Sequence, residues 1–174
     1  MINQKIQLFQ ASSKWHVTPA IKLFELCRHP LSPEVVFPNS ILTFYELCSN
    51  MEAVIKDDDD LDVILSSPSE FQWLPQRLFD ERLEKYIDTL AGSMLLYWYV
   101  FGKCGTEEYF VVDLHPNRYE HCYYINRYDL GPKGSTSIIA YSFPDFLQKL
   151  YVASLAEGEW LWTDNNLGKL YETL

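Results

Sequence analysis

The amino-acid sequence predicts an α+β domain in which N-terminal helices precede a mainly antiparallel, curved sheet and one further helix closes the fold. Apolar residues recur at helical spacing in the first half of the chain. The second half contains short runs rich in Val, Ile and aromatic residues, separated by turn residues. Helices first, strands later and a final helix are typical of the α+β class.

Length and composition indicate one packed domain. Of the 174 residues, 48% are hydrophobic and 22% are charged, which excludes a disordered chain and a low-complexity linker. A chain of this size can bury a hydrophobic core without stabilisation by disulfide bonds or bound metal ions. We therefore expect residues 1–174 to form a single domain.

Two amphipathic helices are predicted in the N-terminal part. Thr18 suits an N-cap and Pro19 a first helical turn, so the first helix is expected to begin there and to end at Pro30. The second begins at Pro38 and ends at Ser49. The apolar faces consist of Ile21, Phe24 and Cys27 in the first helix and of Ile41, Phe44, Tyr45 and Cys48 in the second.

The middle of the sequence predicts one short strand and two more helices. The apolar run Leu61–Leu65 indicates the strand. Ser67 and Glu70 form a capping box, because the hydroxyl accepts from the Glu70 amide while the carboxylate reaches back. This cap predicts a short helix that ends before Pro75. A further helix begins at Asp80, and its apolar face comprises Leu83, Tyr86, Ile87 and Leu90.

Four strands are predicted in the second half. Met94–Phe101 and Glu107–Leu114 flank the turn residues Lys103–Thr106, a pattern that indicates a hairpin. Cys122–Arg127 and Thr136–Ala140 follow after further turn residues. The four runs together predict a meander.

A closing helix is predicted after the last strand. Ser142 caps it, with Asp145 three residues later, and the buried face comprises Phe143, Phe146, Leu147, Leu150 and Tyr151. Trp160 and Trp162 come next, and in a strand they would share one face, either packed on the domain or exposed to a partner. We expect packing, since large aromatic side chains are more often buried than displayed.

Charge is distributed unevenly along the chain. The net charge is −10, and residues 51–90 contain 11 acidic and 4 basic residues, which give −7 of that total. A field of this sign repels phosphate backbones, so direct nucleic-acid binding is not expected. It attracts a basic protein partner. The alternative is that the acidity only keeps the protein soluble.

Cysteine usage and hydropathy indicate a cytoplasmic protein. Cys27, Cys48, Cys104 and Cys122 form neither a CxxC pair nor a dense framework, so they are interpreted as reduced thiols. The first residues lack the charged start and sustained apolar stretch of a signal peptide. Met94–Phe101 is the longest strongly apolar run and is too short to span a bilayer, so no membrane association is expected.

The sequence contains no convincing metal, cofactor or catalytic motif. The strongest metal candidate lies around a predicted turn, but its spacing matches no known ligand set; it comprises Asp113, His115, His121, Cys122 and Cys104. A calcium loop starting at Asp58 fails at Val63, where glycine is required, and at Ser69, where a glutamate belongs. We therefore expect no bound cofactor or metal and no enzymatic activity, with a small hydrolase or metal enzyme as a distant alternative.

Several short motifs, taken in order, resemble the SUKH superfamily. They are a strand, glycine turn and second strand over Phe101–Leu114, the pair Tyr123-Tyr124, and Ile139–Leu147 entering the last helix. Phe37–Tyr45 resembles the Leu-Pro segment and following helix of that family. The resemblance extends from about Leu31 to Leu150. The chain departs from the family pattern at Ser49-Asn50-Met51, where an Asn-Gly-Gly turn is common, and at Thr106, where an acidic residue is usual.

The resemblance implies a non-enzymatic protein-binding function. Many bacterial SUKH proteins are immunity proteins that bind and neutralise toxins, often nucleases, whereas other relatives are adaptors or scaffolds in larger assemblies. The first function implies a basic toxin domain as partner, because nucleases hold phosphates on basic surfaces that carboxylates can occupy. The acidic cluster is the candidate partner-binding site, and it comprises Asp57, Asp58, Asp59, Asp60 and Asp62.

Overall fold

A computed structural model describes residues 1–20, 35–55, 61–79, 94–126 and 136–155. The described strands form one eight-stranded sheet. Every described strand pairing is antiparallel. The predicted α+β class with an antiparallel sheet is therefore confirmed.

The helices and strands alternate irregularly along the chain. The helices are α1 (Ile2–Ala11), α2 (Asn39–Leu47), α3 (Leu74–Phe79) and α4 (Phe143–Leu155). The strands are β1 (His16–Pro19), β2 (Cys48–Ile55), β3 (Leu61–Leu65), β4 (Gln72–Trp73), β5 (Trp98–Cys104), β6 (Glu108–Asp113), β7 (Cys122–Asn126) and β8 (Ser137–Ala140). The sheet order is β1-β2-β3-β5-β6-β7-β8, and β4 also pairs with β5. Single 3₁₀ turns occupy Pro68–Glu70, Met94–Tyr97 and Pro116–Arg118.

The two faces of the sheet have different coverings. Helices α1, α2 and α4 pack on the face that we call the inner face, where Met51, Val63 and Phe110 contribute to the main hydrophobic core. The opposite, outer face has a smaller core, in which Leu74 of α3 packs with side chains of β5–β8. Because side chains alternate along a strand, each strand contributes to both faces.

The β5–β6 hairpin contains a β-bulge between Val100 and Gly102. A Cβ atom on Gly102 would lie 2.8 Å from the Ile64 carbonyl oxygen and 3.1 Å from Cδ2 of Phe110. The glycine therefore allows β5 to approach β3 and β6 at the bulge.

The closing helix is confirmed with its predicted cap and face. The Asp145 amide donates to the Ser142 hydroxyl oxygen at 3.2 Å. Phe146 is fully buried, and its ring centroid lies 4.9 Å from that of Phe101 and 5.1 Å from that of Phe110. Phe143, Leu147 and Leu150 are likewise buried, whereas Tyr151 is half-buried. The helix thus closes the core over β5 and β6.

The predicted start of the first helix at Thr18 is wrong. Thr18 and Pro19 lie in β1, paired with Asn50 and Cys48 of β2, and the earlier helix α1 was not predicted. A local cap signal is overridden here by pairing with a distant strand. The rest of that predicted helix, which was expected to end at Pro30, lies outside the described residues. The second helix is confirmed over Asn39–Leu47, although Cys48 begins β2 instead of completing the helix.

The prediction after Ser67 is correct for the cap and wrong for the helix. The capping box between Ser67 and Glu70 is present, but only one 3₁₀ turn follows before β4, and Pro75 lies inside α3. Strand β3 is confirmed over Leu61–Leu65. The helix predicted from Asp80 lies outside the described residues, as does the segment that contains Trp160 and Trp162.

The predicted hairpin and meander are confirmed as the run β5-β6-β7-β8. Their bounds differ slightly from the predictions, because Met94–Tyr97 is a 3₁₀ turn and β5 extends through Cys104. The tight turn then lies at Gly105, whose φ of 69° is in the left-handed region. Glycine adopts this conformation without the steric cost that a side chain would add.

Candidate protein-binding surface

A row of side chains crosses the outer face of the sheet. Pairing places His16 opposite Glu52, Glu52 opposite Ile64, Ile64 opposite Lys103, and Lys103 opposite Tyr109. Cross-strand partners share a face, and the neighbouring residues Met51, Val63 and Leu65 face the inner core. The row therefore runs from β1 to β6 on the side away from α1, α2 and α4. Side-chain exposure decreases along the row, from exposed His16 to buried Tyr109.

Two depressions flank this row and share Glu52 and Ile64. The larger, which we call the β1–β3 depression, has a volume of about 650 Å³. It is lined by Ser13, Lys14, Trp15, His16, Glu52, Ala53, Asp62 and Ile64. The smaller has a volume of about 220 Å³ and is lined by Asn50, Glu52, Ile64, Ser66, Glu70, Arg77, Val100, Lys103 and Tyr109. The two depressions therefore meet at Glu52 and Ile64 of the outer face.

The β1–β3 depression is anionic. Glu52 is half-buried and Asp62 is exposed, and within the described part of the chain neither carboxylate has an ion-pair partner. The Lys14 ammonium donates to the Ser154 carbonyl oxygen at 2.8 Å, so it is held at the end of α4. Two carboxylates against this one ammonium leave the depression with a net negative charge.

The smaller depression is lined by side chains of both charges, two acidic and two cationic. The Arg77 guanidinium lies 6.0 Å from the ring centroid of Tyr109, within the range of a cation–π contact. The Glu70 carboxylate accepts from the Ser67 amide at 3.2 Å as part of the capping box. Lys103 is half-buried beside them. The charges of the smaller depression therefore balance, whereas the β1–β3 depression has a net negative charge.

A known protein is similar in sequence to this chain over nearly the whole length of both proteins. Immunity protein YokJ of Bacillus subtilis (strain 168) is 30% identical over 159 residues, which cover 89% of this chain and 90% of that protein. The chain belongs to the family of this immunity protein. No family model matches the chain. No solved structure matches it either.

In this member of the YokJ family, the structure describes only one of the five predicted partner-binding residues. Asp62 lies on the outer face, paired with Val54, and lines the β1–β3 depression. Asp57–Asp60 lie outside the described residues, and in sequence they fall between β2 and β3. Their role in binding is not tested by the structure and stays a prediction.

Three residues of this surface were not predicted to lie there: Glu52, Ile64 and Lys103. A signal was present for Glu52, because Met51-Glu52-Ala53 alternates apolar and polar residues as a strand with one buried face does. Ile64 and Lys103 had no such signal. Ile64 lies in an apolar run and Lys103 was assigned to a turn, and the position of both on the outer face follows from strand register.

The candidate metal residues of this family member have other roles. Asp113 is fully buried and accepts from Arg118 Nε at 2.7 Å and from Trp98 Nε1 at 3.0 Å. Burial raises the pKa of Asp113, and the hydrogen bonds from His115, Arg118 and Trp98 oppose that shift. His115 accepts from the Asn117 amide through Nδ1. Among the residues that the structure describes, no three His, Cys, Asp or Glu side chains are grouped to hold a metal ion.

The described cysteines are buried free thiols. They are Cys48, Cys104 and Cys122. Burial, with smaller contributions from Glu108 and Asp62, raises the pKa of Cys104 to about 12. A thiol with this pKa stays protonated at neutral pH, so Cys104 is a poor nucleophile and metal ligand.

No helix in the described part of the chain is both long enough and apolar enough to cross a bilayer.

Proposed function

We propose that this chain is an immunity protein that neutralises a toxin by binding it, without catalysing a reaction. The observation that carries the proposal is the 30% identity to an immunity protein over 89% of this chain. The aligned region covers 90% of the relative as well, so the similarity extends over nearly the whole of both proteins. A common domain with a common mode of action is the simplest explanation of similarity over such a length.

The order of the recognised motifs in the fold supports membership in the SUKH superfamily. The Phe101–Leu114 motif corresponds to the β5–β6 hairpin, and Ile139–Leu147 connects β8 to α4. Phe37–Tyr45 leads into α2. The motifs that suggest the superfamily therefore lie in the sheet and in the helices that cover its inner face.

The proposed partner is a basic toxin domain, such as a nuclease. Binding is proposed to take place in the cytoplasm. The net charge of −10 supports this choice, because an acidic protein associates faster with a basic partner. Asp57–Asp60 and Asp62 are proposed to contribute to that association. Two strands that flank this acidic run, β2 and β3, supply the carboxylates of the β1–β3 depression.

Co-expression tests the proposal directly. A toxin domain identified among the genes that flank the one for this chain is induced in a bacterial host, with and without this chain. We expect growth to be restored only when the chain is present. We also expect the purified proteins to elute as a complex in size-exclusion chromatography.

The control is a toxin domain of unrelated sequence, which the chain should not neutralise. Unrestored growth together with separate elution would overturn the proposal. Complex formation without protection would instead support the adaptor function that the sequence analysis left as the alternative.

A further inference from the structure

We infer that the β1–β3 depression is the surface on which the toxin docks, and that it receives an arginine- or lysine-bearing segment of a basic toxin domain at Glu52 and Asp62. This inference rests on the proposed function and specifies the binding surface for it. Three features of the described residues support it: two carboxylates without ion-pair partners, a net negative charge and an apolar wall.

The two carboxylates are placed to receive a cation. Glu52 on β2 and Asp62 on β3 face the same side of the sheet and line the same depression. In the described ranges, neither side chain forms an ion pair or accepts a hydrogen bond. Glu52 is half-buried, so a partner's cation would meet it in a partly desolvated setting, where an ion pair is stronger than on an open surface.

One ammonium against two carboxylates leaves the depression with a net negative charge. Lys14 donates to Ser154 at the end of α4, and Arg77 lies against the Tyr109 ring. Lys103 lines the smaller depression but not the β1–β3 depression. The occupant that complements the β1–β3 depression is therefore cationic.

The wall of the depression suits an arginine side chain in particular. Ile64 and Trp15 line it beside the carboxylates, so the aliphatic stem of an arginine can pack on apolar surface while its guanidinium reaches Glu52 or Asp62. The volume of about 650 Å³ is large enough for a side chain together with the backbone that presents it.

Charge reversal tests the inference with matched variants. Glu52→Lys and Asp62→Lys alter the depression, whereas Glu46→Lys makes the same change at an exposed position of α2, on the other side of the sheet. The probe is the toxin domain used in the co-expression experiment, and association and dissociation are measured by biolayer interferometry at low and moderate salt. We expect each depression variant to weaken binding about tenfold or more, with slower association and a flatter salt dependence. The Glu46→Lys control is expected to stay within about twofold of wild type.

Two further variants keep the test independent of folding defects. Asp62→Asn removes a charge at an exposed position, and Lys103→Glu adds negative charge at the neighbouring depression. The first should slow association and the second should speed it, and thermal melting verifies that both are folded. Wild-type affinity in both Glu52→Lys and Asp62→Lys would overturn the inference while leaving the proposed function standing. A wild-type chain that does not bind the toxin would overturn the proposed function itself.

Discussion

The close approach of β3, β5 and β6 at Gly102 requires that this residue has no side chain. In Gly102→Ala, the added Cβ would lie 2.8 Å from a backbone oxygen of β3, which can move only if the strand moves. We expect the variant to lose about 1–3 kcal/mol of unfolding free energy, as overpacked sites do. Urea denaturation measures the loss. Gly105→Asn is the control, because asparagine tolerates the left-handed φ of 69° at that turn; an equal loss in both variants would contradict the steric explanation.

His121 makes the stability of the fold depend on pH. Burial lowers the pKa of His121 below its usual 6.5; Asp113 opposes this shift and Arg118 adds to it. The unfolded chain therefore binds a proton at His121 more readily than the native state does. The contribution of neutral His121 to stability is present above about pH 6.5 and is lost as the pH falls toward the lowered pKa of the native state.

The expected result is a smaller pH effect when this histidine is removed. Between about pH 7.5 and about pH 5.5, Tm of the wild type should fall more than Tm of His121→Gln. Differential scanning calorimetry at both pH values measures the difference. His16→Gln, which removes an exposed histidine, is the control and should behave as wild type does. An identical fall in all three proteins would show that His121 does not contribute.

At the scale of elements, the packing of α4 on the sheet determines whether the inner core is closed. Phe146→Ala is expected to cost about 3–5 kcal/mol and Leu147→Ala about 2–5 kcal/mol, because both side chains are fully buried and their removal leaves cavities. Val152→Ala lies on the same helix but at a position that is 55% exposed, and it should change stability by less than about 0.5 kcal/mol. Chemical denaturation of the three variants measures these values. A near-neutral Phe146→Ala would mean that α4 is not docked.

Elements whose own sequence contains a start signal and regular apolar spacing were predicted. Strand β1, whose conformation depends on pairing with a distant strand, was not. Ser142 and the apolar spacing after it identified α4, and the same kind of signal identified α2. Strand β1 has only four residues, and its Thr18-Pro19 pair imitates a helix start. Its extended conformation comes from pairing with β2, a partner about 30 residues away in sequence, so no local pattern could reveal it.

At the scale of the whole molecule, the acidic run between β2 and β3 is expected to act on association and hardly on stability. Changing Asp57, Asp58, Asp59 and Asp60 to Asn removes four like charges that repel one another, so stability should stay unchanged or rise slightly. Association with the basic toxin should slow, and its salt dependence should flatten. Stopped-flow association at low and moderate salt measures both effects.

The matched control for this run replaces the same four residues with Glu, which keeps the charge. It should associate at about the wild-type rate. Equal rates and equal salt slopes for wild type and the Asn variant would show that the run only promotes solubility, as the alternative interpretation of the charge holds.

The sequence by itself determined the α+β class, the β5–β8 meander, the closing helix and the acidic character of the protein. These properties depend on spacing, turn residues and composition, which act over a few neighbouring residues or over the chain as a sum. Only the tertiary structure decided that Glu52, Asp62 and Ile64 share one depression. They come from two strands whose relative register sets which side chains face outward, and a shift by one residue would turn them toward the core. Register is set by the joint burial of side chains from many segments, so a single stretch of sequence does not reveal it.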